Sequence, residues 1–227
     1  MKTKALILIS LLLVTFSVKS QDCSSAYFPS KEGTKIEMTN YDKNGQVQGK
    51  TVTTIVFINK SGGATIINLR SETNTRNNSS SMDYTAKCDG NNFSVSMKSF
   101  VPSSMQKSAS GGEMTIDASD LIYPNSLSIG KKLSDGSVTM NMTMGTMAMK
   151  TVINITNRTV TGRESITTPS GTYDCYKIEY DVETTVMNMK VKSRVKQWVT
   201  KGIGTIKTEN YNDKGELMGY TEVTSIK

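Results

Sequence analysis

Methionine is the residue type whose abundance and spacing first suggest a chemistry, because the chain holds 14 of them among 227 residues. Several recur at every second position within two short stretches, residues 138–153 and 187–199. The side chain is unbranched and polarisable, so it can line an irregular apolar space and adapt to varied ligands. We predict a face that lines a cavity for a lipid or other apolar ligand, with an ordinary packed core as the alternative. The residues of this predicted site are Met140, Met142, Met144, Met147, Met149, Met187 and Met189.

A copper(I) site is the second chemistry that alternating methionines allow, because thioether sulfur is a soft metal ligand. The chain contains no histidine, and no cysteine lies beside either methionine stretch. The methionines are also expected to point inward. A zinc site is disfavoured in turn, since there is no close pair of cysteines. We therefore predict neither a metal nor any other cofactor.

The residue types in the chain and their spacing offer little support for an enzymatic function. Without histidine the chain lacks the usual general base. Neither a G-x-S-x-G nucleophile elbow nor a phosphate-binding glycine loop occurs, and the acidic residues are scattered without a convergent pair. We predict that the protein is not an enzyme and has no catalytic residues.

Residues 1–20 have the pattern of a cleavable secretory signal peptide. Two lysines precede an apolar run, Ala5–Val18, that is too short to cross a bilayer as a mature helix. Residues 18–20 fit a small-residue cleavage site, so we expect the mature chain to start at Gln21, with an uncleaved anchor as the alternative. Removing the three lysines of the leader lowers the formal net charge from +7 to +4. This mild charge and the export pattern both argue against nucleic acid as a partner.

The predicted location is therefore the periplasm or the extracellular space, with a protein that is soluble after signal cleavage and is not an integral membrane protein. The partner we expect is an apolar ligand or an envelope lipid. The remaining chain, residues 21–227, suits a single large β domain, since no linker or low-complexity break divides it.

Three cysteines remain after cleavage: Cys23, Cys88 and Cys175. In an oxidising compartment this odd number indicates one disulfide with a free thiol, or an intermolecular bond. Strand parity puts Cys88 with apolar neighbours and Cys175 with charged ones, so these two face different sides. We expect Cys23 to form the disulfide, and the parity argument favours Cys175 as its partner. Lipidation of Cys23 is the alternative, which the preceding Asp22 disfavours.

Apolar and polar residues alternate with a period of two along nearly the whole mature chain. The alternating segments contain Thr, Val, Ile, Tyr and Met, and Gly, Asn and Asp lie between them. This pattern is typical of antiparallel strands with one buried face, so the predicted fold class is all-β. A two-residue turn at 145–146 would pair Met144 with Met147 and Met142 with Met149. That register places all the methionines of the hairpin on one face.

The strand at 187–199 carries methionine and valine on one face and a basic stripe of Lys190, Lys192, Arg194 and Lys196 on the other. The stripe could meet anionic lipid head groups, or it could be a solvated face that discourages edge pairing.

Residues 40–49 and 210–219 repeat one another, as NYDKNGQVQG and NYNDKGELMG. Each copy is a strand, a turn that ends in glycine, and a second strand. The repeat is either a common hairpin used twice or two hairpins in related positions of a curved sheet.

Four segments resemble a TapB-like family of uncharacterised secreted bacterial proteins: CSSAYFPSKEGTKIEMTNYDKNG, NSLSIGKKLSDG, TNRTVTGRESITTPSGTYDCYKIEYD and KQWVTKGIGTIKTENYNDKG. The resemblance covers nearly all the mature chain, and TPSGTYDCYKI followed by QWVTKGIGTIK is its most specific mark. It implies a large curved antiparallel sheet or incomplete β-barrel. That shape is similar to bacterial lipoprotein carriers with an apolar concave face, at the level of the fold alone. The family carries a domain of unknown function, so no binding or catalytic residues transfer.

Overall fold

Alternating apolar and polar residues build thirteen strands in the part of the chain that the computed structural model describes, residues 23, 26–100, 112–144 and 146–227. The predicted signal peptide, residues 1–20, lies outside the described residues. A short 3-10 helix covers Met97–Phe100. The strands are β1 (Lys35–Asp42), β2 (Val47–Ser61), β3 (Ala64–Thr75), β4 (Ser79–Cys88), β5 (Asn92–Val95), β6 (Gly112–Ala118), β7 (Leu121–Pro124), β8 (Gly136–Met144), β9 (Met147–Thr168), β10 (Gly171–Val186), β11 (Met189–Thr200), β12 (Gly204–Asn212) and β13 (Leu217–Ile226).

All thirteen strands join one antiparallel sheet, in the order β6-β8-β9-β10-β11-β12-β13-β1-β2-β3-β4-β5-β7. In the described part of the chain the sheet is not closed, because β6 and β7 are its two edges and do not pair with each other. This confirms the predicted all-β class and the large curved antiparallel sheet. Among the described residues no helix is long and apolar enough to cross a membrane.

The methionine hairpin has the predicted register. Across β8 and β9, Met142 pairs with Met149 and Met144 with Met147. Paired residues of antiparallel strands share a face, so the parity argument is confirmed for the backbone. Gly145 of the predicted turn, and the side chains of Met144 and Met147, lie outside the described residues.

The two repeated segments form matching hairpins side by side in the sheet. Asp42 Oδ1 accepts the backbone N–H groups two and four residues ahead at 2.9 and 2.8 Å, and Asn212 Oδ1 does the same at 3.0 and 2.9 Å. Gly45 and Gly215 both have φ +79°, a left-handed conformation that glycine adopts without penalty. Because β13 pairs with β1, the hairpins occupy related positions, as one of the two sequence interpretations held.

Candidate functional site

The sheet curves around an apolar cavity of about 260 Å³, which we call the concave cavity. Tyr123 of β7 and Tyr180 of β10 both line it, although their strands stand far apart in the sheet order. Only a strongly curved sheet can bring such strands to one space. No charged side chain occurs among the described residues that line it. The apolar residues of its wall include Tyr27, Phe28, Ile36, Met38, Ile55, Tyr84, Phe93, Val95, Leu121 and Val199.

The segment Ala26–Pro29 covers one side of the concave cavity. Phe28 stacks on Phe93 with ring centroids 4.5 Å apart, and the backbone N–H of Gly202 donates to the carbonyl of Ala26 at 2.9 Å. Cys23 anchors the segment to the end of β4 through a disulfide. We call Ala26–Pro29 the cover segment.

The disulfide joins Cys23 to Cys88, with 6.1 Å between their Cα atoms, which corrects the predicted pairing of Cys23 with Cys175. Cys88 is fully buried in the same cluster as Ala26 and Phe93, so packing of the cover segment brings Cys23 to it. Cys175 is a free, buried thiol. Its charged strand neighbours suggested an accessible face, but a separate cluster encloses it, formed by Ile36, Trp198, Ile206 and Val223.

Polar groups form a short hydrogen-bonded chain in the cavity wall. The Tyr123 hydroxyl donates to Gln197 Oε1 at 3.3 Å, and Gln197 Nε2 donates to Thr205 Oγ1 at 2.7 Å. Burial raises the pKa of Tyr180 above its ordinary value, and the nearby charge of Arg158 opposes that rise. The wall therefore combines a large apolar surface with a few converging polar groups, the usual make-up of a small-molecule site.

Arg158 is a buried cation beside this wall, with 1% of its surface exposed. Its Nη1 donates to the carbonyls of Ile122 at 3.3 Å and Ser134 at 2.6 Å. The guanidinium carbon lies 4.7 Å from the ring centroid of Tyr123, in a cation–π contact. Buried Nη2 finds no hydrogen-bond partner in the described part of the chain.

A bulge in β9 turns Arg158 inward. Asn157 has φ +59°, and the register between β9 and β10 shifts at this point. Arg158 is not among the site residues predicted from the sequence. The sequence does contain an indication of the bulge. The apolar residues occupy odd positions at Ile153 and Ile155 and an even position at Val160, and such a change indicates an inserted residue.

The predicted methionine site lies beside the concave cavity rather than in its wall. Met140 packs in a cluster around Val138 that also contains Leu121, and Leu121 lines the cavity. Met142 and Met149 are half-buried on the same face. Met187 lies in the β10–β11 turn and is 58% exposed, while Met189 is 69% exposed. Met38 is the one methionine among the described residues of the wall.

Three of the four cations in the basic stripe of β11 form ion pairs with acidic side chains of β10. Lys190 and Lys192 both form ion pairs with Glu183, and Arg194 pairs with Asp181. The basic side chains of these pairs are largely exposed, so solvent screens the pairs and they add little to stability. They support the interpretation of a solvated strand face. Among the described residues, no group of three or more His, Cys, Asp or Glu side chains is placed to hold a metal ion.

A family model described as DUF3108-like, a family defined by a domain of unknown function, matches residues 31–223. The resemblance to a family of unknown function is confirmed at that level, and the narrower TapB-like label stays a prediction. No curated protein matches the chain.

Two solved structures share the fold. A candidate exported protein with a YmcC-like fold from Bacteroides fragilis is 24% identical with a TM-score of 0.68, covering 88% of this chain and 98% of its own. A candidate lipoprotein from Parabacteroides distasonis is 21% identical with a TM-score of 0.74, covering 91% of this chain and 100% of its own.

Proposed function

This chain belongs to the DUF3108-like family, and we propose that it is an exported envelope protein that binds the acyl chain of a lipid-like ligand in the concave cavity. The observation that carries the proposal is the cavity itself, about 260 Å³ of apolar space that the strands do not fill. Protein interiors are normally packed without such space, so an unfilled apolar volume favours a ligand. We propose binding without catalysis.

The proposed location rests on the signal-peptide pattern of residues 1–20 and on the disulfide between Cys23 and Cys88, because disulfides persist in oxidising compartments. The descriptions of the two solved neighbours, one a candidate exported protein and one a candidate lipoprotein, agree with an envelope role. The TapB-like label belongs to the same proposal.

A methionine face, formed by Met140, Met142 and Met149 beside the cavity, extends the proposed site. Leu121 contacts both the concave cavity and the cluster of Met140, so a chain longer than the cavity would continue over Met140, Met142 and Met149. Flexible thioether side chains can adjust to chains of different length. The cavity then holds the inner part of the chain, and the methionine face holds the remainder.

The alternative function is a structural or interaction module without a small-molecule ligand. The tip of the β10–β11 hairpin favours it, because Met187, Met189 and Val191 all expose more than half of their surface there. Exposed apolar groups of this kind mark contact surfaces when they are contiguous.

The test is fluorescence of phenylnaphthylamine, a neutral apolar dye, followed by its displacement with laurate and with dodecanol. We expect saturable dye binding that both competitors reverse. Met38→Trp fills the cavity from β1 and should weaken dye binding at least about tenfold. Val56→Trp, on an exposed position of β2, is the matched control and should bind as the wild type does. Thermal unfolding checks that both variants fold.

A wild type that binds neither the dye nor laurate nor dodecanol would overturn the proposal and favour the interaction module. Equal dye binding by the wild type and a folded Met38→Trp would overturn the assignment to the concave cavity.

A further inference from the structure

We propose that Arg158 selects an anionic head group, so that the ligand of the concave cavity is a single-chain amphiphile carrying a carboxylate. The inference rests on the proposed function and adds the chemical class of the ligand. It starts from the charge of the cavity surroundings rather than from its apolar wall.

Arg158 lacks a counter-ion in the described part of the chain. Arg158 is 1% exposed, and no carboxylate of the described residues forms an ion pair with it. Among the residues that the structure does not describe, 101–111 contain no Asp or Glu, and Asp22 is the one carboxylate. A buried cation is costly unless it is paired, and carbonyl oxygens supply only part of that compensation. A bound anion would complete it.

Two tyrosines lie between the guanidinium of Arg158 and the cavity. Tyr123 stacks against Arg158 on one side and lines the cavity, and Tyr180 lines the cavity within electrostatic reach of the same charge. The described wall carries no charge of its own, so the field of Arg158 is not cancelled there. In a low-dielectric space such a field acts strongly on an entering charge.

A head group in the cavity would meet a hydrogen-bond donor in the wall. Tyr123 lines the cavity and carries its hydroxyl on the ring that Arg158 contacts. That hydroxyl now donates to Gln197 at 3.3 Å, a long bond that an anionic oxygen could replace. Arg158 does not itself line the cavity, so its guanidinium, with Nη2 buried and unpartnered among the described residues, acts on the carboxylate through its charge.

The experiment compares laurate with dodecanol, which have the same chain length but differ in charge, as competitors for phenylnaphthylamine at mildly alkaline pH. We expect the wild type to bind laurate at least about tenfold more tightly, as a charge-assisted hydrogen bond allows. Arg158→Met should reduce laurate affinity to that of dodecanol and leave dodecanol unchanged. Arg158→Lys, which keeps the charge, should retain part of the preference.

Each outcome separates this inference from the proposed function. If the wild type binds both competitors equally, the anionic head group is wrong while the apolar ligand stands. A laurate preference that persists in folded Arg158→Met would overturn the role of Arg158. Binding of neither competitor overturns the proposed function itself. If Arg158→Met does not fold, Tyr123→Phe replaces it, and we expect it to lower the laurate preference several-fold.

Discussion

Phe28 stacks on Phe93 with an angle of 18° between the ring planes, and this contact holds the cover segment against the wall of the concave cavity. The Cys23–Cys88 disulfide ties the same segment to β4, so covalent and aromatic contacts act together. The cover segment is therefore attached to the wall by a disulfide and by stacked rings, and not by strand pairing.

The first prediction concerns this attachment. Replacing both Cys23 and Cys88 by alanine should lower the free energy of unfolding by about 2–4 kcal/mol, because the disulfide closes a long loop. It should also speed release of bound dye, since the cover segment loses its covalent anchor. Denaturant unfolding and stopped-flow dye release measure the two effects. A reductant should reproduce both in the wild type, and an unchanged release rate would show that the cover segment does not control access.

A second prediction concerns the free thiol. Burial raises the pKa of Cys175 to about 12 from its ordinary 9.0, with Asp174 and Glu164 adding to the rise. The protonated thiol is therefore favoured in the folded state, and its contribution to stability is fully present below pH 9.0 and is lost as the pH rises toward about 12. Cys175→Ala should reduce that alkaline loss in unfolding measured against pH.

Thiol labelling provides the matching check on Cys175. We expect no reaction with a thiol reagent at neutral pH in the folded protein and one reactive thiol after unfolding without reductant. Rapid labelling of the folded protein would contradict the buried site.

The twin hairpins give a third prediction. Gly45→Ala and Gly215→Ala should each destabilise the protein by about 1–2 kcal/mol, because both positions are left-handed with φ +79°. An added Cβ meets only ordinary contact at Gly45 and open space at Gly215, so backbone strain is the whole effect. Asparagine tolerates this conformation, and the two asparagine variants should lose less. Thermal unfolding that shows unequal losses at the two glycines would contradict the matching of the hairpins.

The methionine face yields a fourth prediction through one substitution at two positions. Met140→Gln should lower stability by about 1 kcal/mol, since it puts an amide into a half-buried apolar cluster. It should weaken binding of palmitate more than of laurate, because the longer chain reaches the methionine face. Met189→Gln is the control at an exposed position and should change stability by less than about 0.5 kcal/mol. Equal losses of palmitate and laurate would contradict the extension of the longer chain over Met140, and no loss of either would place Met140 outside the binding path.

Local patterns predicted much of the sheet. Alternation over residues 138–153 and a Gly-X turn predicted the pairing of Met142 with Met149, because register in a hairpin depends only on neighbouring residues. The repeat of residues 40–49 at 210–219 predicted two equivalent hairpins for the same reason. The sequence left open whether the two hairpins are adjacent in the sheet. Their adjacency depends on the pairing of β1 with β13, which joins the two ends of the chain.

The disulfide and the cavity wall depend on contacts that parity does not describe. Cys175 has charged strand neighbours, yet Trp198 and other residues far along the chain bury it. Arg158 enters the interior only because a bulge at Asn157 reverses the parity of β9. The cavity itself arises from the curvature of the whole sheet, which brings Tyr123 and Tyr180 together from distant strands.

Native mass spectrometry of the delipidated protein with excess laurate tests the central claim most directly. We predict a single laurate adduct on the wild type and on Val56→Trp, and a strongly reduced adduct on folded Met38→Trp. Absence of the adduct from the wild type, or an equal adduct on Met38→Trp, would contradict an acyl-binding site in the concave cavity.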